Sequence, residues 1–240
     1  MRRIRWKEIS YIPQGSMNAL NPTMKIKNQI ADSIIEHMSR KERRKLSRRS
    51  LKEKIDKLLG AVGLAPEVAD MYPHELSGGM RQRVAIAMAI SLNPKLIVAD
   101  EPTTALDVVV QRGILQLLSQ IKDKLNSSII LITHDIAVHA EISDRMGIMY
   151  AGKIVELGSV REIFKDPLHP YSQALISAVP ALSEKRRLKG LPGFPPDLSS
   201  PPAGCRFHPR CPYATVGLCD KVEPPHLEVK GRIVACHLYR

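Results

Sequence analysis

The chain has 240 residues, 44% of them hydrophobic, with 36 Lys and Arg against 24 Asp and Glu, a formal charge of +12. That composition can build a core and excludes disorder throughout. The longest apolar run, Val84 to Ile90, falls far short of the roughly 20 residues of a membrane-spanning helix, and no apolar stretch of a secretion signal follows Met1.

In chain order, Ile9–Ile12 reads as a short strand, and Asn21-Pro22 marks a turn. Residues 25–63 read as two helices. Ile26, Ile30, Ile34 and Ile35 share one apolar face, and Leu51, Ile55, Leu58 and Leu59 make a second. Leu76-Ser77-Gly78-Gly79 opens a helix that runs to Ser91, and Asn93-Pro94 ends it. Leu96–Ala99 suits a buried strand, Val108–Leu125 has helical period, and Ser128–Thr133 is the next buried strand. His139–Asp144 reads as a short helix and Met146–Tyr150 as a strand. Gly152-Lys153 then turns into Ile154–Leu157. Strands alternating with helices predict an α/β parallel sheet with a small antiparallel addition.

Charge and texture vary along the chain. Residues 1–60 carry 16 Lys and Arg against 6 Asp and Glu, densest from Arg40 to Arg49. Such a run suits a solvated helix face, or anionic lipid and the loops of a membrane partner. Nucleic acid has the least support, because no RNP, zinc-finger or helix-turn-helix pattern accompanies it. From Pro180 onward lie ten of the 18 prolines and all four cysteines, which predicts an appendage with little regular structure. Nothing fits the phosphate-binding pattern G-x-x-x-x-G-K-[S/T]. The only Gly-Lys pair, Gly152-Lys153, is followed by Ile154.

Two segments carry chemistry: LSGGMRQRVAIAMAI, residues 76–90, and LIVADEPTTALD, residues 96–107. Glycines at a helix start let backbone N–H groups approach an anion, and the helix dipole adds attraction. Taken alone, Ser77 reads as an ordinary helix cap followed by a glycine turn. Asp100 follows an apolar strand, which places its carboxylate at the ligand-binding edge of a parallel sheet. With Thr133-His134-Asp135 in the same order, the chain resembles the nucleotide-binding subunit of an ABC transporter of the dipeptide/oligopeptide importer type. The likeness runs from Gln14 to Cys236 and includes HPYSQAL, residues 169–175.

The resemblance implies roles. Glu101 is the catalytic carboxylate that polarises the attacking water, and His134 holds water and glutamate in place. Gln14 contacts Mg²⁺ and the water, although Pro13 stands where the family commonly has an aromatic. Asp100 holds Mg²⁺. Ser77, Gly78, Gly79 and Gln82 belong to the signature that meets ATP held by the opposite subunit, and Asp107 couples the two sites. The implied cofactors are ATP and Mg²⁺. Cys205, Cys211, Cys219 and Cys236 suit a soft metal, and the likeness favours a [4Fe-4S] cluster with zinc as the alternative. The likeness implies a cytoplasmic subunit, where two structural disulfides are disfavoured.

The implied fold is α/β, a P-loop NTPase-like ABC ATPase core with a helical subdomain, its N-terminal portion missing, plus a small cysteine-containing C-terminal extension. Residues 1–160 are expected to be the partial ATPase domain, with 22–90 as the helical subdomain, and 161–240 the extension. The expected activity is ATP hydrolysis energising peptide import, from the cytoplasmic face of the plasma membrane. The expected partners are a second ATPase subunit, in a heterodimer, the membrane subunits and, indirectly, an extracytoplasmic solute-binding protein. The absent phosphate loop predicts a deficient ATP site in this chain. Two alternatives stay open: a non-catalytic relic or regulatory fragment lending its signature to a full-length partner, and a soluble ABC ATPase outside transport.

Overall fold

The computed structural model describes residues 4–15, 19–178 and 191–240. The chain divides into two compact units, Met1–His134 and Asp135–Arg240.

In the first unit, β1 (Ile9–Ile12), β2 (Leu96–Asp100) and β3 (Ser128–Ile132) form a parallel sheet in the order β1-β2-β3. Ile12 lies beside Ala99, and Asp100 beside Ile132, so all three strands end at one edge. The connection from β1 to β2 carries α1 (Ile26–Ile35), α2 (Arg40–Lys45), α3 (Arg48–Ala61) and α4 (Gly78–Ile90). The return from β2 to β3 is α5 (Val108–Leu125).

The expected apolar stripes are the buried ones. Ile26, Ile30 and Ile34 of α1, Ile55 and Leu59 of α3, and Ile114, Leu118 and Ile121 of α5 join one core with Ile12, Ile97 and Ala99 of the sheet. Residues 25–63 form three helices rather than two. Ser39 caps α2 reciprocally with Glu42, and the Ser47 hydroxyl accepts from the Ser50 N–H at 3.0 Å to start α3. The basic run is therefore cut in the middle by a second cap, and α2 buries nothing.

The opposite face of the sheet is open. Ile9, Tyr11, Ile130 and Ile132 are 41–50% exposed there, although parallel sheets are usually covered on both faces. By the two-residue pleat, Asp100 shares this face with Tyr11.

In the second unit, α6 (Ile136–Ile142) starts three residues before the expected helix, because the Asp135 carboxylate accepts from the Ala137 N–H at 2.9 Å and caps it there. β4 (Arg145–Tyr150) and β5 (Lys153–Ser159) pair antiparallel. Their turn is Ala151-Gly152, with φ of 47° and 78°, the positive pair that suits the strand twist of a two-residue hairpin. After α7 (Val160–Lys165) and α8 (Pro170–Ser177), the tail adds β6 (His226–Val229) and β7 (Arg232–Ala235). The tail is thus not the irregular appendage expected, for its hairpin completes a four-stranded sheet in the order β4-β5-β7-β6.

A buried ion pair fastens that hairpin. Arg232 lies 3.5 Å from Glu156, the two side chains being 3% and 0% exposed. Glu156 also accepts the N–H groups of Leu168 and His169 at 3.0 and 2.9 Å. A buried charge left without such partners would be costly.

Candidate functional site

The carboxyl ends of the three parallel strands gather four of the expected residues. Gln14 follows β1, Asp100 ends β2 with Glu101 next, and His134 follows β3. Ligands in open α/β sheets bind outside these strand ends.

Glu101 is the hub. Its Oε2 accepts from Gln14 Nε2 at 3.1 Å and from the Thr104 hydroxyl at 2.7 Å, while His134 Nδ1 lies 3.1 Å from Oε1. Its backbone N–H extends the ladder to the Ile132 carbonyl at 2.9 Å. Glu101 and Ala105 both hold positive φ, 44° and 62°, so the loop turns back sharply and brings Thr104 under the carboxylate. The Thr104 hydroxyl, and then the His134 ring, hold the Glu101 carboxyl below the usual carboxylate range. An ionised, fixed carboxylate suits orienting and polarising a water more than taking its proton fully.

Asp100 accepts the Tyr11 hydroxyl at 2.8 Å, and that contact raises the Tyr11 phenol above its ordinary value. Gln14 and Asp100 offer hard oxygen donors of the kind Mg²⁺ takes, one or two from protein and the rest from phosphate and water. Tyr11 and Thr104 were not singled out by the sequence. Tyr11 lay in the expected Ile9–Ile12 strand and Thr104 in the 96–107 segment, neither with a role of its own.

The signature residues stand apart from this hub. Ser77 caps α4, its hydroxyl accepting from the Met80 N–H at 3.3 Å. Gly78 opens the helix. Gly79 has a packing reason of its own: a Cβ there would meet Val110 Cγ1 at 2.6 Å. Gln82 is buried in α4. Asp107 caps α5, its carboxylate accepting from the Val110 N–H at 2.9 Å. The cap at Asp107 and a coupling role are compatible.

The four cysteines carry free thiols and border one small cavity of about 50 Å³. Burial raises the thiols of Cys205 and Cys211 and pushes Cys236 up to about 11. Among the described residues no group of three or more His, Cys, Asp or Glu is placed to hold a metal ion. The expectation of a [4Fe-4S] cluster or zinc at Cys205, Cys211, Cys219 and Cys236 is corrected accordingly.

Comparison with known proteins gives the lineage. The dipeptide transport ATP-binding protein DppD of Caldanaerobacter subterraneus subsp. tengcongensis is 46% identical over 242 residues, which cover 100% of this chain and 72% of that protein. The chain belongs to the ABC transporter ATP-binding proteins. By family it is an ABC-type ATPase. The ABC transporter family model matches residues 1–104, and the model for the oligopeptide/dipeptide transporter C-terminal region matches residues 155–219. The oligopeptide transport ATP-binding proteins OppD of Bacillus subtilis and Escherichia coli are 47% and 44% identical, over 95% and 98% of this chain and 63% and 69% of their own lengths. The chain thus spans about two thirds of the relatives it matches. Among solved structures, the dimeric bacterial ABC transporter cassette MJ0796 superposes with a TM-score of 0.56 at 29% identity, covering 66% of each chain.

The family match corrects the expectation of an ATPase core whose N-terminal portion is missing. It begins at residue 1 and takes in β1 and α1, residues 9–35. Among the described residues of this ABC-type ATPase, no helix is long and apolar enough to cross a membrane.

Proposed function

We propose that this chain is an ATP-hydrolysing subunit that energises import of peptides, working at the cytoplasmic face of the plasma membrane with a second ATPase subunit and with membrane subunits. The observation that carries the reading is the triple hold on Glu101 by Gln14, Thr104 and His134. In this reading Glu101 orients and polarises the attacking water, and Gln14 and His134 report the state of the γ-phosphate to it. Asp100 and Gln14 would hold Mg²⁺, which neutralises charge on the phosphates when bound. Ser77, Gly78 and Gly79 present an N–H-rich helix start to a phosphate of the facing subunit. Asp107, at the head of α5, stands where two such subunits would communicate.

The peptide substrate class rests on the names of the relatives and on the oligopeptide/dipeptide C-terminal match, which also weighs against an ABC ATPase outside transport. The likeness to dimeric cassettes supports paired subunits. Glu101→Gln tests the hydrolytic role. In the assembled transporter, ATP turnover is expected to fall at least ~100-fold, the range for losing a positioned acid–base group, with nucleotide binding retained. Turnover within a few fold of the parent would overturn it.

A further inference from the structure

A second cavity lies in the first unit, away from the strand ends that carry Glu101. It holds about 270 Å³ between α3, the end of α4 and the last turns of α5. Its floor is apolar, made by Leu58, Ala61, Ile90 and Ile121. Lys54 and Lys57 from α3 and Lys124 from α5 stand around it, all exposed. No carboxylate lines it, and none of these three lysines has an ion pair among the described residues.

An arrangement of an apolar floor with an uncompensated cationic rim selects for charge and apolar body together. The carboxyl ends of α3, α4 and α5, at Ala61, Ile90 and Leu125, point here and add about −0.5 each. Three lysines outweigh them, so the local field stays positive. The volume is about nine waters at ~30 Å³ each, enough for a short alkyl chain and near the lower limit of small-molecule pockets. We infer that this cavity is a binding site for an anionic amphiphile, a carboxylate or phosphate bearing a short alkyl chain. The head group would pair with the lysines, and the chain would lie on Leu58 and Ile121. The same chemistry comes from a free alkyl anion or from an anionic membrane lipid.

Calorimetric titration of the full chain with octanoate and octyl phosphate tests this, with octanol and inorganic phosphate alongside. Both octyl anions are expected to saturate a single site, and octanol and phosphate to bind at least tenfold more weakly. The combined Lys54→Gln, Lys57→Gln, Lys124→Gln variant should lose at least tenfold in octanoate affinity with an unchanged melting temperature. A separate Ala61→Phe variant, which fills the floor, should lose octanoate with all three lysines in place. Equal binding of inorganic phosphate, equal binding of octanol, an unaffected lysine variant, or no saturable binding would each overturn the site. Competition by phosphatidylglycerol vesicles, and not by phosphatidylcholine vesicles, would uphold it and assign a lipid source. Octanoate binding untouched by either vesicle would uphold it and assign a free amphiphile.

Discussion

Thr104 shows how a residue given no role of its own within the 96–107 segment fixes one that has a role. Its hydroxyl donates to Glu101 at 2.7 Å, the shortest of the three contacts on that carboxylate. A hydrogen bond to a charged group contributes about 1.5–3 kcal/mol. Thr104→Val should therefore lower ATP turnover roughly tenfold or more at unchanged KM. Thr104→Ser, which keeps the donor, should restore most of it. Equal loss in both variants would show that the methyl group matters and the hydroxyl does not. Glu101, Asp100, Gln14 and His134 were picked out by the family resemblance, and the register of the three parallel strands brings their carboxyl ends to one edge. Thr104 and Tyr11 were not picked out. Their roles depend on the positive φ of Glu101 and Ala105 and on the β1–β2 register, neither of which a residue type announces.

Elements were legible where side chains carry their own start signal. α5 was read to its last residue because Asp107 caps one end and Asn126 turns left-handed after the other. The split of the basic segment at Ser47 and the early start of α6 at Asp135 were missed, since in both a polar cap overrode the apolar period. Gly79 was read for phosphate chemistry, and the packing adds a second demand. An exposed helical Gly→Ala change gains up to about 1 kcal/mol, but a methyl 2.6 Å from Val110 overpacks the α4–α5 contact, at about 1–3 kcal/mol. Gly79→Ala should lower stability to urea, and Val110→Ala in the same chain should recover it. An unchanged urea midpoint in the single variant would refute the contact.

His169 extends the argument to α8. It caps that helix by accepting the Tyr171 N–H at 3.0 Å, and burial lowers its pKa to about 4. The folded chain thus keeps it neutral where the unfolded chain, near 6.5, takes a proton. Its contribution is complete above about pH 6.5 and drains away as pH falls toward 4, by about 3 kcal/mol. Urea unfolding at pH 7 and pH 4.5 should show this acid loss, and His169→Asn, which keeps a cap acceptor, should flatten it. An identical acid slope in that variant would place the sensitivity elsewhere.

At the scale of the whole molecule, the charge of +12 is concentrated early. Residues 1–60 hold 16 of the 36 Lys and Arg, and the helices there place most of them in solvent. The family was legible because the order of SGG, Asp-Glu and Thr-His-Asp, with HPYSQAL after them, is far more specific than any one of them. The cysteines misled, because spacing does not say how the folded side chains are placed, and among the described residues no group of three or more His, Cys, Asp or Glu is placed to hold a metal ion. The account stands on one claim, that hydrolysis directed by Glu101 drives peptide uptake. Uptake of a labelled tripeptide by cells carrying the transporter, with this chain or its Glu101→Gln variant, measures that directly. Concentrative uptake with the parent and none above background with the variant is the predicted result. Equal uptake with both, or no dependence on this chain, would contradict it.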